Sequence, residues 1–107
     1  MYRLRIASEL ERRWRSAIEH ELSLTLPTSE GLTTNVVFGH AQTLDPHYPA
    51  YRCTVEIQRG ANREVHVSAQ HSDGRHAIRH ALARAKRDLA RTRQRHVTQI
   101  MSRERVL

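Results

Sequence analysis

Across Ser72-Asp73-Gly74 the apolar period of this chain switches from two to 3.6, and no other feature narrows its possible folds as much. Upstream, Val65, Val67 and Ala69 alternate with His66, Ser68 and Gln70, the pattern of a strand with one buried and one wet face. Downstream, Ile78, Leu82, Ala85 and Leu89, with Ala81 beside them, recur at i, i+4, i+7 and i+11 and make one narrow apolar stripe on a helix. Asp73 is a good N-cap, because its short carboxylate accepts from the free amides of the first turn and sits at the positive end of the helix dipole. The helix is therefore expected to start near Gly74. A strand and a helix that each have one apolar side, joined by three residues, have to share a core layer.

The wet side of that helix is unusual. Arg75, Arg79, Arg84, Lys86, Arg87, Arg91, Arg93 and Arg95 are opposed between Gly74 and His96 only by Asp88, a net of +7 that equals the formal charge of the whole chain. Solvated helices usually mix signs and gain i,i+4 pairs, whereas like charges at this spacing cost a few tenths of a kcal/mol per pair. Self-repulsion of this kind points to a polyanionic partner. Of the 18 basic residues all but Lys86 are Arg, whose planar fork suits phosphate. These eight side chains are the expected RNA-binding residues.

The rest of the chain reads as a frame for this element. Tyr2, Leu4 and Ile6 alternate with Arg3 and Arg5 in a first strand, and Ser8 and Glu11 have the spacing of a capping box that starts a helix at Glu9. Leu10, Trp14, Ala17, Ile18 and Leu22 form the buried stripe of that helix, with Trp14 as a core anchor, and its charges are mixed. After a loop between Pro27 and Gly31, a second strand runs from Leu32 to Ala41. Thr43 to Ala50 is a Pro-containing loop. Cys53, Val55 and Ile57 alternate in a third strand, which Gly60-Ala61-Asn62 turns back into the fourth.

The order is β-α-β-β-β-α. At 107 residues, with 38% hydrophobic and 27% charged side chains, a thin α+β fold is expected: a four-stranded sheet with both helices on one face and a right-handed first crossover. That arrangement is like a double-stranded-RNA-binding domain with an added leading strand. One domain spans 1–107, its core at 2–96, with 97–107 as a helix extension or frayed tail. No apolar run approaches the ~20 residues of a membrane span and no signal peptide is visible, so a cytoplasmic protein is expected. The single Cys53, inside an alternating apolar run, is expected to be a buried inert thiol.

Val65-His66-Val67-Ser68-Ala69, Asp73, Ala77-Ile78, Leu82, Arg87-Asp88-Leu89 and the alternation Arg91, Arg93, Arg95 resemble the ribosome hibernation promoting factor family, also called ribosome-associated inhibitor A, S30AE or sigma-54 modulation proteins, in its short form. The element order agrees over residues 2 to 96. The resemblance implies a ribosome-binding, rRNA-binding translation regulator of the stress response that occupies the mRNA and tRNA channel of the small ribosomal subunit and blocks it without chemistry. It implies no cofactor and no small-molecule substrate. Two departures stand out: only Ala7 separates the first strand from Ser8, and Arg79 stands where many members carry an acid. The chain also stops without the C-terminal domain of long members, so dimerising ribosomes through it is not expected.

Other classes compete less well. His76 and His80 at i, i+4, with His71 nearby in sequence, prompt a metal site, but the neighbourhood is cationic and lacks the Cys or carboxylates to complete a shell. They fit better as an addition to the basic face whose charge responds to pH. No nucleophile, base and oxyanion arrangement is visible, so no enzyme is expected. Tyr48 and Tyr51 near the Pro-rich loop are expected to pack, with base stacking as the alternative. A divergent basic module that binds a non-ribosomal RNA or an acidic protein is the rival function. Oligomeric state is not legible in these residues.

Overall fold

Alternating strands and two amphipathic helices produce the expected order: β1 (Tyr2–Ile6), α1 (Ser8–Thr25), β2 (Leu32–Ala41), β3 (Ala50–Arg59), β4 (Asn62–His71) and α2 (Gly74–Arg105). A computed structural model describes residues 2–26, 31–42 and 49–105, with side chains described through Thr92. The expected loops around Pro27 and Pro46 therefore lie largely outside the described residues, as does Tyr48. The sheet runs β1-β2-β3-β4, with β1 parallel to β2 and the other pairs antiparallel. It is the expected α+β layer fold. The β1-α1-β2 crossover supplies the parallel pair, and tight antiparallel pairing follows.

One face of the sheet carries the core. Val36, Phe38, Val55, Ile57, Val65 and Val67 are almost fully buried there, against Trp14 and Ile18 of α1 and Ile78 and Leu82 of α2. Full burial of Ile78 and Leu82 is worth about 1.5–3 kcal/mol each. Ala77, Ala81 and Ala85 are wholly buried as well, so small side chains let α2 lie close on β3 and β4. Gly74 makes the closest approach, since a Cβ there would stand 2.8 Å from both Cη2 and Cζ2 of Trp14 and 3.2 Å from Cζ of Phe38. Trp14 is in turn flanked by Phe38 at 5.4 Å and Tyr51 at 5.7 Å between ring centroids. It is a core anchor, as its spacing predicts.

Three expectations change. The Ser8 and Glu11 capping box does not form: α1 begins at Ser8, its N-cap is Ala7, and no side chain caps it. The Ala7 amide continues the sheet by donating to the Phe38 carbonyl at 3.0 Å, while the Ala7 carbonyl accepts from Leu10 at 2.8 Å. With one residue shared between strand and helix, sheet pairing sets where the helix starts, and Ser8 instead bonds Glu9 at 3.3 Å while Glu11 takes Arg15. The hairpin turn is Gly60-Ala61 alone, because Asn62 already pairs with Arg59. Gly60 has φ +59° and Ala61 does not have positive φ, the II′ sign pattern that needs glycine first. As the third change, β3 starts at Ala50, inside the expected loop. The range of α2, through Arg105, takes in most of the expected helix extension.

Candidate nucleic-acid interface

The N-terminus of α2 is built by Asp73. Its Oδ1 accepts from the Arg75 amide at 2.9 Å and its carbonyl accepts from the Ala77 amide at 3.1 Å. The Arg75 amide, with His76 adding to it, holds the Asp73 carboxyl below the usual carboxylate range. His71 Nδ1 accepts from the Asp73 amide at 2.9 Å, and His76 Nδ1 lies 3.4 Å from Asp73 Oδ2. The cap therefore ties the end of β4 to the start of α2 and sets the rotation of the helix.

That rotation sorts the cations into two flanks. His76, His80, Arg84, Arg87 and Arg91 follow one another at steps of three or four residues and are all exposed, so they form one stripe. At 1.5 Å per residue, Arg84 to Arg91 spans about 10 Å. Arg84 is also held in place, donating from Nη1 to the Ser68 carbonyl on the outer edge of β4 at 2.9 Å. On the opposite flank are Arg75, Arg79 and Lys86. Arg79 donates from Nε to Glu21 of α1 at 3.1 Å, so it serves as a tie between helices. Arg75, Lys86, Arg87 and Arg91 have no ion-pair partner among the described residues. Glu64 and Asp88 border a shallow polar cleft with Arg91 and Thr92, but no ion pair closes across it. The side chains of Arg93 and Arg95 lie outside the described residues.

Sequence reasoning missed the two partners, Glu21 and Ser68. Glu21 is 58 residues from Arg79, and only the packing of α1 beside α2 brings them together. Tyr51 is half-buried, stacked on Phe38 with an interplanar angle of 3° and beside His40. Cys53 is fully buried, and desolvation pushes its thiol up to about 12. Among the described residues no cluster of three or more His, Cys, Asp or Glu is placed to hold a metal ion, and no helix is long and apolar enough to cross a membrane.

No protein-family model matches the chain, and no curated protein matches it in sequence. Among solved structures the chain is similar to the crystal structure of the Protein Y N-terminal domain from Thermus thermophilus, with a TM-score of 0.61 and 21% identity. The likeness covers 82% of this chain and 92% of that domain. It shows a shared fold.

Proposed function

We propose that this chain is a ribosome-associated RNA-binding factor that occupies the mRNA and tRNA channel of the small subunit and inhibits translation by occupancy. The observation that carries this is the stripe of Arg84, Arg87 and Arg91, exposed along one side of α2, with Arg87 and Arg91 unpaired among the described residues. A cation row that repels itself, and whose Arg87 and Arg91 no acid pairs among the described residues, is stabilised when phosphates approach, and Arg binds them through its planar fork. Lys86 and Arg75 add charge from the other flank, and Arg93 and Arg95 continue the run in sequence. Support for the ribosomal target comes from the hibernation-factor resemblance of residues 65–95 together with the Protein Y-like fold.

Phosphate contacts position a protein on RNA and do not specify sequence, so shape selects the site. Arg79 contributes indirectly, by fixing α2 against α1 through Glu21. The test is co-sedimentation with isolated ribosomal subunits at low and high salt, beside an Arg87→Glu, Arg91→Glu variant. Wild type is expected with the small subunit at low salt, released by high salt, by nuclease and by the double substitution. Wild type that stays free in every gradient overturns the ribosomal role. Co-sedimentation that survives nuclease assigns the surface to an acidic protein instead.

A further inference from the structure

Among the described residues no layer covers the opposite face of the sheet, and its composition is not that of an ordinary solvated surface. Strand register aligns three rows across it: Arg3, Asn35, Glu56 and His66; Arg5, Val37, Thr54 and Ser68; and Gly39, Arg52 and Gln70, with Arg63 beside Glu56. Arg3, Arg5, Arg52 and Arg63 thus face one carboxylate, and that carboxylate is already engaged, by Gln58 at 2.6 Å and by Arg63 at 3.5 Å. Arg3 and Arg5 are exposed and have no hydrogen-bond or ion-pair partner among the described residues. Arg52 donates to Gln70, at 2.6 Å from Nη2 with the amide oxygen turned toward it, which leaves its charge uncompensated. Among the described residues Val37 is the one large exposed apolar side chain on this face, too little to nucleate a protein interface.

The face is also continuous with the α2 stripe. Ser68 belongs to both: its carbonyl accepts from Arg84 at the outer edge of β4, and its hydroxyl meets Thr54 Oγ1 at 3.2 Å on the open face. Around that edge a polyanion passes from Arg84 to Gln70 and Arg52, while the carboxylates Glu64 and Asp88 lie at the other end of the stripe, beside Arg91. Four strands make a platform about 14 Å across, and Arg3 and Arg5 stand about 6.6 Å apart along β1. Gly39 and Val37 leave a low floor between Arg5 and Arg52.

We propose that the uncovered sheet face is a second RNA-binding surface, through Arg3, Arg5 and Arg52, that takes a further stretch of the RNA gripped by the α2 stripe around the edge of β4. This rests on the RNA-binding function above and extends its footprint to the other side of the molecule. The experiment measures affinity against salt for an RNA hairpin of about 16 base pairs. Wild type is compared with Arg3→Gln, Arg5→Gln, Arg52→Gln on the sheet and Arg87→Gln, Arg91→Gln on α2, with folding checked by circular dichroism. The sheet variant is expected to bind at least about tenfold more weakly near physiological salt, with a log-log slope shallower by about 2 to 3. In parallel, thiouridine-substituted RNA crosslinked to the wild-type chain is expected to label peptides of β1 and β3 as well as α2, a readout that holds even if the sheet variant misfolds. A wild-type slope in the sheet variant, or crosslinks confined to α2, overturns the second surface and leaves the stripe standing. No binding by wild type removes both.

Discussion

The seat of α2 is tested most sharply by adding one methyl group, Gly74→Ala. The new Cβ meets Trp14 Cη2 and Cζ2 at 2.8 Å and Phe38 Cζ at 3.2 Å, against the ~3.5–4.0 Å of ordinary carbon contacts. Trp14 has to retreat by roughly 0.7 Å or more, yet Phe38, Tyr51 and the Arg13 guanidinium at 5.4 Å surround its ring. Overpacking of this kind costs about 1–3 kcal/mol. Replacing a helical glycine with alanine offsets that by about 0.4–1 kcal/mol, because the unfolded chain loses freedom. The net is a destabilisation of about 1–2 kcal/mol, or roughly 5–15 °C in Tm for a domain of this size. Denaturant unfolding followed by far-UV circular dichroism, a signal that does not depend on Trp14, the chain's single Trp, measures it directly. In a Trp14→Phe background, where the outer ring is absent, the same substitution should cost much less, and the difference is the coupling energy. An unchanged or raised Tm for Gly74→Ala, with no coupling to Trp14, refutes the close packing of α2 on α1.

Three further outcomes follow from particular groups. Asp73→Ala should destabilise by about 1 kcal/mol through the lost cap. Because the folded-state value of Asp73 is lowered, its contribution is present above the ordinary carboxylate range and fades as pH falls below about 4, so wild type and Asp73→Ala should converge in acid Tm scans. Removing Arg79 and Glu21 singly and together should give a coupling of only about 0.2–1 kcal/mol in a double-mutant cycle, as the Arg79 side chain is 57% exposed. Cys53, raised to about 12, should resist thiol reagents in the folded state at pH 8 and react on unfolding. Its raised value also predicts stability that is full below about pH 9 and declines as the unfolded chain's thiol ionises above it.

Much of this architecture is legible in residue order because the two periods are clean. Val65, Val67 and Ala69 are only 3%, 4% and 7% exposed, and Ile78, Ala81, Leu82 and Ala85 0%, so alternation and stripe alone locate the core of these two elements. Asp73 is legible for a local reason, since its cap involves residues within four positions. Ser8 was misleading for a nonlocal one: the β1-β2 ladder extends to Ala7 and overrides the capping box. The same distinction divides the basic residues. Their exposure follows from the helical period, but that Arg79 is bound to Glu21 and Arg84 to Ser68 depends on which elements become neighbours. The open sheet face is the clearest case, since Arg3, Arg5 and Arg52 lie on three different rows and two different strands and share a surface only through strand register.

The proposal that the basic stripe of α2 neutralises RNA phosphates is tested most directly by the salt dependence of affinity for isolated small ribosomal subunits. Wild type is expected to show a log-log slope on the order of −4 to −5, with Arg87→Gln, Arg91→Gln shallower by about 1.5. A slope near zero, or one that the double substitution leaves unchanged, contradicts it.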